Sequence, residues 1–243
     1  MCVAAASVVL AVAAVAEEPV ALNGYSAGNK LSKINGLTLL NLWGDRPGPI
    51  QHLYTLIDSV LSSDSAASYA DVSRDEAVQR FCREHKLLYL GGPMLGCIST
   101  SSAKLWLRTV RPAKVEVRVT MNGAKTTFGP VLSTEASDLV SIVPVTGLKP
   151  GRSYPYEVFV DGTRIPTPEH AAITTVPDTQ RVRLAFGTCA HRWGLGNQKQ
   201  ADLIRSRRPV ALLMYGDVAA QDKRNHLGRY RSDYQVRDLY PAW

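Results

Sequence analysis

Between residues 91 and 176 the chain repeats one pattern: short runs in which apolar side chains fall at every second position, each closed by turn residues. KLWLRTV, KVEVRVTMNG, LVSIVPV and YPYEVFVDG all read this way. A period of two sends alternate side chains to opposite faces, so these runs predict strands with one buried and one wet face, not helices. Asn122-Gly123 and Asp161-Gly162 are dipeptides that tolerate positive φ at both central positions of a hairpin turn. Strands this closely spaced, joined by hairpins, predict a β-sandwich over residues 91–176. Trp106 is expected as the large core residue between its sheets. The module carries no catalytic grouping and reads as a scaffold or a contact surface.

The N-terminal flank differs. MCVAAASVVLAVAAVAEEPV has no charged side chain before Glu17 and places Ala14-Val15-Ala16 just ahead of two acids. Residues 1–16 therefore read as an export signal, although the usual basic start is missing. The run is too short to span a bilayer, which takes about 20 apolar residues, and no other segment is apolar enough to do so. The mature protein is expected to be secreted or periplasmic. Residues 17–90 predict a helical lead-in. In PIQHLYTLIDSVL, Ile50, Leu53, Tyr54, Ile57 and Leu61 share one face behind Pro49, while SRDEAVQRFCREH offers Ser73 as an N-cap with Glu76 three residues on. His52 and His85 lie in these helices and read as surface or packing histidines.

After VPDT, residues 176–179, the pattern changes again. RVRLAFGTCA is a strand ending at Gly187, NQKQADLIRSRR is a helix capped by Asn197, and VALLMYG is a second strand introduced by Pro209. That order predicts a βαβ unit, and strands so apolar belong to a parallel sheet covered on both faces. Parallel strands joined by one crossover end on the same side. Cys189 and Asp217 are thus expected together at the carboxyl rim, where open α/β sheets collect ligands. A thiolate and a carboxylate, with His191 close by in sequence, are transition-metal donors, and the carboxylate can bridge to a second, harder ion. A Gly-Asp after an apolar strand is also a common turn or N-cap, and taken alone it is a weak signal.

Charge sharpens the picture of this last segment. Residues 181–243 hold 12 Lys+Arg and 5 Asp+Glu, a balance of +7, whereas residues 1–180 hold 16 of each. All the excess positive charge therefore lies in the last quarter, which suits phosphate esters or a solvated face. A solvated face ranks above nucleic acid, which is not expected as a partner. With Cys2 removed in the signal, Cys82, Cys97 and Cys189 remain, an odd number, so at least one thiol is free or bound to something. Cys82 and Cys97 read as small buried hydrophobes. A thiol enzyme built on Cys189 is the weakest option, with no CxxC and His191 as its one well-placed base.

Taken in order, "GGPMLGCISTSSAKLWLRT", "RLAFGTCA", "LLMYGD" and "HLGRYRSDYQVRDLYPAW" resemble the alkaline phosphatase D (PhoD-like) metallophosphatase family, from about Gly91 onward. Leu148, Pro150 and Tyr154 are similarly spaced to the tyrosine corner of fibronectin type III-like modules. The resemblance implies a multidomain chain: a signal (1–16), a helical lead-in (17–90), a fibronectin type III-like β-sandwich (91–176), and an incomplete α/β (βαβ) start of a metallophosphatase domain (177–243). It also implies iron and calcium as cofactors, with Cys189 a ligand of iron and Asp217 bridging iron to calcium. The substrate would be a phosphate ester, and the Arg/Tyr-rich helix after Gly228 would serve packing and surface charge. Two departures accompany it. In "GDVAAQD" the family's tyrosine ligand has no counterpart at Val218, Ala219 or Ala220, leaving Asp222, His191 or His226 as substitutes. The Asp, His and Asn ligands of later strands have none either. The expectation is an N-terminal portion of such a phosphatase, inactive alone and open to self-association through its incomplete sheet. The rival is a non-catalytic exported binding module with a degenerate phosphatase tail.

Overall fold

The computed structural model describes residues 36–41, 44–168, 171–179, 181–188, 197–216, 218 and 226–239. The expected export signal lies outside them. All described residues belong to one compact unit, Ile34–Trp243, whose two larger sheets are antiparallel. Four helices come first: α1 (Gly36–Leu40), α2 (Gly48–Ser63), α3 (Tyr69–Arg74) and α4 (Glu76–Glu84). Eight strands follow: β1 (Tyr89–Gly96), β2 (Ala103–Thr109), β3 (Ala113–Met121), β4 (Ala124–Ser133), β5 (Val140–Val145), β6 (Ser153–Val160), β7 (Thr163–Arg164) and β8 (Ala172–Thr174). After them come β9 (Leu184–Gly187), α5 (Gln198–Ser206), β10 (Ala211–Met214) and α6 (Leu227–Asp238).

The first eight strands make two antiparallel sheets, ordered β1-β2-β5 and β4-β3-β6-β7 with β8 also on β6. Their alternating residues turn inward onto one core: Leu105 and Leu107 from β2, Val115, Val117 and Val119 from β3, Val143 from β5, and Val158 from β6. Trp106 is a correction to the sequence reading. With Leu105 and Leu107 fully buried, the period of two sends Trp106 to the other face, where it is only half-buried. Both hairpin dipeptides are turns with positive φ throughout, 51° and 81° at Asn122-Gly123 and 47° and 78° at Asp161-Gly162. The Tyr154 hydroxyl accepts a hydrogen bond from the Lys149 backbone N–H at 2.7 Å, which ties the start of β6 to the loop before it.

α2 buries Leu53, Tyr54, Ile57 and Leu61, the stripe that its periodicity predicts. The start of α4 is a second correction. Ser73 lies inside α3 and donates its hydroxyl to the Ala70 carbonyl at 2.7 Å. Asp75 caps α4 instead, accepting from the Val78 N–H at 2.8 Å. The extended backbone of Asp75 puts the break between the helices two residues later than Ser73 would.

α6 packs on α1, α2 and β1 through a stripe of small and polar residues spaced as one helix face: Gly228, Ser232 and Gln235. Gly228 sits so close to α2 that a Cβ there would meet the Leu61 carbonyl oxygen at 1.9 Å. Ser232 is buried between the Tyr54 hydroxyl at 3.1 Å and Asp58 Oδ1 at 2.6 Å. Gln235, fully buried, accepts from the Tyr69 hydroxyl at 2.7 Å and donates to the Leu90 carbonyl at 2.7 Å. Burying these groups is tolerable because each is paired.

β9 and β10 pair in parallel, Ala211 with Leu184 through Met214 with Gly187, and α5 lies between them in sequence. Asn197 caps α5 by accepting from the Gln200 N–H at 3.2 Å. Met214 packs on the cluster of Leu40, Tyr54 and Val236, which anchors one face of the pair. The other face is apolar and exposed, with Leu184 at 48%, Phe186 at 77%, Leu213 at 38% and Tyr215 at 63%. No helix among the described residues is long and apolar enough to cross a membrane.

Candidate functional site

The carboxyl ends of β9 and β10 lie side by side. Beyond the last strand pair, the Tyr215 N–H donates to the Gly187 carbonyl at 2.8 Å, and the Thr188 hydroxyl reaches the Gly216 carbonyl at 3.5 Å. Gly216 takes φ of 75°, a left-handed turn that a side chain would strain. Thr188 and Gly216 immediately precede Cys189 and Asp217 in sequence. Cys189 and Asp217 themselves, and His191 and Asp222, lie outside the described residues.

His226 is described, and it is the N-cap of α6: its Nδ1 accepts from the Arg229 N–H at 3.1 Å. A metal would therefore find only Nε2 on that ring. Among the described residues no group of three or more His, Cys, Asp and Glu is arranged to hold a metal ion. Cys82 is buried, and burial pushes its thiol up to about 11, which suits an inert packing residue. Cys97 departs from the sequence reading: it is exposed, with φ of 47°. His52 and His85 flank Phe81 with ring centroids 5.1 and 4.1 Å away, as packing histidines do.

A second concentration of charge, which the sequence reading did not single out, surrounds Arg108. Its side chain is only 11% exposed. The guanidinium lies 3.7 Å from the centre of the Tyr69 ring, and Nε donates to the Asp138 carbonyl at 3.3 Å. Its two terminal nitrogens stand 3.6 Å from Asp138 Oδ2 and from Asp238 Oδ2, ion-pair distances rather than hydrogen bonds. Arg231 shares Asp138 at 3.3 Å, and Arg237 binds Asp238 Oδ1 at 2.8 Å through Nε. The Asp238 side chain is fully buried and packs over Gly91, where a Cβ would come 2.8 Å from Oδ2. Desolvation raises its pKa, against the pull of Arg237 and Arg108. The available signals were Arg108 on the wet face of β2 and the arginine spacing of "YRSDYQVRD". Neither names its carboxylate partners, which come from distant segments.

The chain matches a family model described as a domain of unknown function (DUF7800) over residues 85–178, a span that encloses β1 to β8. Among curated proteins, none matches. A solved structure described as "Structure of PhoD" is similar at 17% sequence identity and a TM-score of 0.43, with 63% of this chain and 37% of that chain covered. The chain thus spans little more than a third of that protein's length.

Proposed function

We propose that this chain contributes one edge of a metal-dependent phosphate-ester hydrolase of the PhoD-like type, exported from the cell, with Cys189 and Asp217 as ligands. In this reading β1 to β8 form a fibronectin type III-like sandwich, and β9-α5-β10 is the opening βαβ unit of the phosphatase domain. The observation that carries the reading is the register of β9 and β10. Their parallel ends bring Thr188 and Gly216 within 3.5 Å, and the two proposed ligands are the next residues in sequence. The donor chemistry fits as well: a thiolate suits iron, and a carboxylate suits both iron and calcium. A metal pair of this kind supplies a bound hydroxide and neutralises phosphate oxygens. The chain's own contribution would be a thiolate and a carboxylate following adjacent strand ends, within a segment whose surplus of positive charge suits phosphate esters.

The exposed apolar residues favour this over a non-catalytic binding module. On the two antiparallel sheets the large exposed hydrophobics are Leu132 and Ile142, whereas Leu184, Phe186, Leu213 and Tyr215 cluster on β9 and β10. Two exposed residues make a thin contact strip, while a bare parallel pair is what an α/β sheet shows before its covering layer is added. Two or three ligands do not hold two metals, so the chain by itself is expected to show no phosphatase turnover.

The test is iron content by elemental analysis of the whole chain and of its Cys189→Ala and Asp217→Ala variants, after incubation with iron and calcium. Near-stoichiometric iron in the parent that is lost in both variants is the expected result. Iron absent from the parent, or retained by both variants, refutes the assignment. Hydrolysis of p-nitrophenyl phosphate by the chain alone would contradict its being an incomplete site.

A further inference from the structure

The face of α6 that looks back toward Arg108 borders a cavity of about 320 Å3, at the small end of the roughly 300–1,000 Å3 typical of small-molecule sites. Arg108, Arg231 and Arg237 line it, together with Tyr69, Tyr230 and Tyr234. No carboxylate does: Asp138 and Asp238, which partner these arginines, are absent from the wall. Three guanidiniums on the wall thus stand against two carboxylates just behind it, which leaves the lining a net positive balance.

Arg108 is prepared for an anion. Stacked on Tyr69 and fixed through Nε, it loses little freedom on binding, and its terminal nitrogens stand beyond hydrogen-bond reach of both carboxylates. A planar guanidinium matches a carboxylate or phosphate group, two oxygens at a time, and Arg108 holds its two carboxylates only at ion-pair distance. The remaining wall is apolar and mainly aromatic, with Leu227 beside the tyrosines. Tyr234 is 39% exposed, with the Arg237 guanidinium 5.1 Å from its ring centre, and Tyr230 lies one helical turn before it. Such a wall favours a ligand with a planar apolar body over a bare inorganic ion.

We propose that this cavity binds a small organic anion, its carboxylate or phosphate group on Arg108 and its aromatic body against Tyr230 and Tyr234. The site shares no residue with the proposed metal ligands, so either assignment stands or falls without the other.

Isothermal titration of the whole chain in EDTA, which removes any metal-dependent site from the measurement, provides the test. Benzoate, phenyl phosphate, phenol and inorganic phosphate are the four probes. Saturable binding of benzoate or phenyl phosphate is expected, with phenol and inorganic phosphate weaker by about tenfold or more. Whichever of benzoate and phenyl phosphate binds more tightly identifies the head group. Arg108→Gln is expected to weaken binding by about tenfold or more, the loss of a charge-assisted hydrogen bond. Because Arg108 is buried and that variant risks misfolding, Arg237→Gln and Tyr234→Ala, both in partly exposed positions, are measured alongside, with circular dichroism as the check on folding. The proposal is overturned by any of three results: no saturable binding of either aromatic anion, inorganic phosphate binding as tightly as they do, or affinity unchanged in every folded variant.

Discussion

Replacing Gly228 with alanine tests how α6 is held. Propensity alone says that the substitution helps, since alanine is preferred over glycine in a helix by up to about 1 kcal/mol. The packing says the opposite. The new Cβ would stand 1.9 Å from the Leu61 carbonyl oxygen and 2.7 Å from that of Asp64, and both are backbone atoms that no rotamer change can move aside. Relief requires α6 to retreat by about 1 Å, and overpacking of this kind costs about 1–3 kcal/mol. Ser232 and Gln235 share the face of Gly228, so the retreat stretches their bonds to Asp58, Tyr69 and Leu90, now 2.6 to 2.7 Å long, toward lengths at which they no longer count as hydrogen bonds. Each buried group left unpaired adds about 1–3 kcal/mol, only some of which falls on this variant, because partial adjustment keeps some bonds. The expected net loss is about 2–4 kcal/mol by urea denaturation, with faster tryptic cleavage after Arg229, Arg231 and Arg237. A Gly228→Ala protein as stable as the parent, or more so, would refute the close docking of α6 and return the residue to simple helix propensity.

Other consequences follow from single contacts. Tyr154→Phe removes the acceptor of the Lys149 N–H and is expected to cost about 1–2 kcal/mol in denaturant unfolding, whereas no change would mean that water replaces the hydroxyl. For Cys82, burial raises the folded pKa from 9.0 to about 11. The folded state then holds its proton while the unfolded chain releases it, so stability falls as pH rises from about 9 toward 11. Cys82→Ala should flatten the start of that fall, before the buried tyrosines Tyr54 and Tyr69, also raised by burial, begin to contribute in the same direction. In a Cys2→Ser, Cys189→Ala background, a chromogenic disulfide reagent should titrate exposed Cys97 at once and Cys82 only on unfolding. Phe186→Asp, at a side chain 77% exposed, should change stability by less than about 1 kcal/mol and reduce concentration-dependent association in sedimentation velocity. A larger loss of stability would show that the β9–β10 face is already covered.

What the sequence revealed and what it hid divide along the range of the interactions. The strands of β2, β3, β5 and β6 were legible because a period of two is a local property that the core then obeys. The turns at Asn122-Gly123 and Asp161-Gly162 were legible because only a few residue types accept those φ values. Size points Trp106 inward, but parity decides: its neighbours Leu105 and Leu107 claim the inward face. Ser73 was misread because a capping box scores the right residue types, while the break between α3 and α4 depends on Asp75 taking an extended backbone. Arg108 escaped notice for another reason. Its partners Asp138, Asp238 and Tyr69 lie 30 to 130 positions away along the chain, so no local pattern can announce them. Of the proposed metal site, the sequence supplies the two donor types and their place after apolar strands, and the structure adds the parallel register of those strands.

The exposed face of β9 and β10 bears on that site as well. Strands of four residues paired only with each other are marginal in water, and here Met214 on Leu40, Tyr54 and Val236 supplies the anchoring that the pair lacks by itself. On the opposite face Phe186 stands beside Leu213, and Leu184 beside Ala211, so the exposed apolar side chains are contiguous rather than scattered. Full burial of a large apolar side chain stabilises by about 1.5–3 kcal/mol, so a layer laid over Leu184, Phe186, Leu213 and Tyr215 would gain several kcal/mol from contacts the pair already offers. The same two strands run directly into Thr188 and Gly216, the residues before Cys189 and Asp217. A partner surface that adds strands or a helix to this pair, from further chain or from a second copy, would therefore arrive beside the rim where the proposed site needs its remaining donors. In the proposed reading, the need for cover and the need for ligands therefore meet at one edge of the pair.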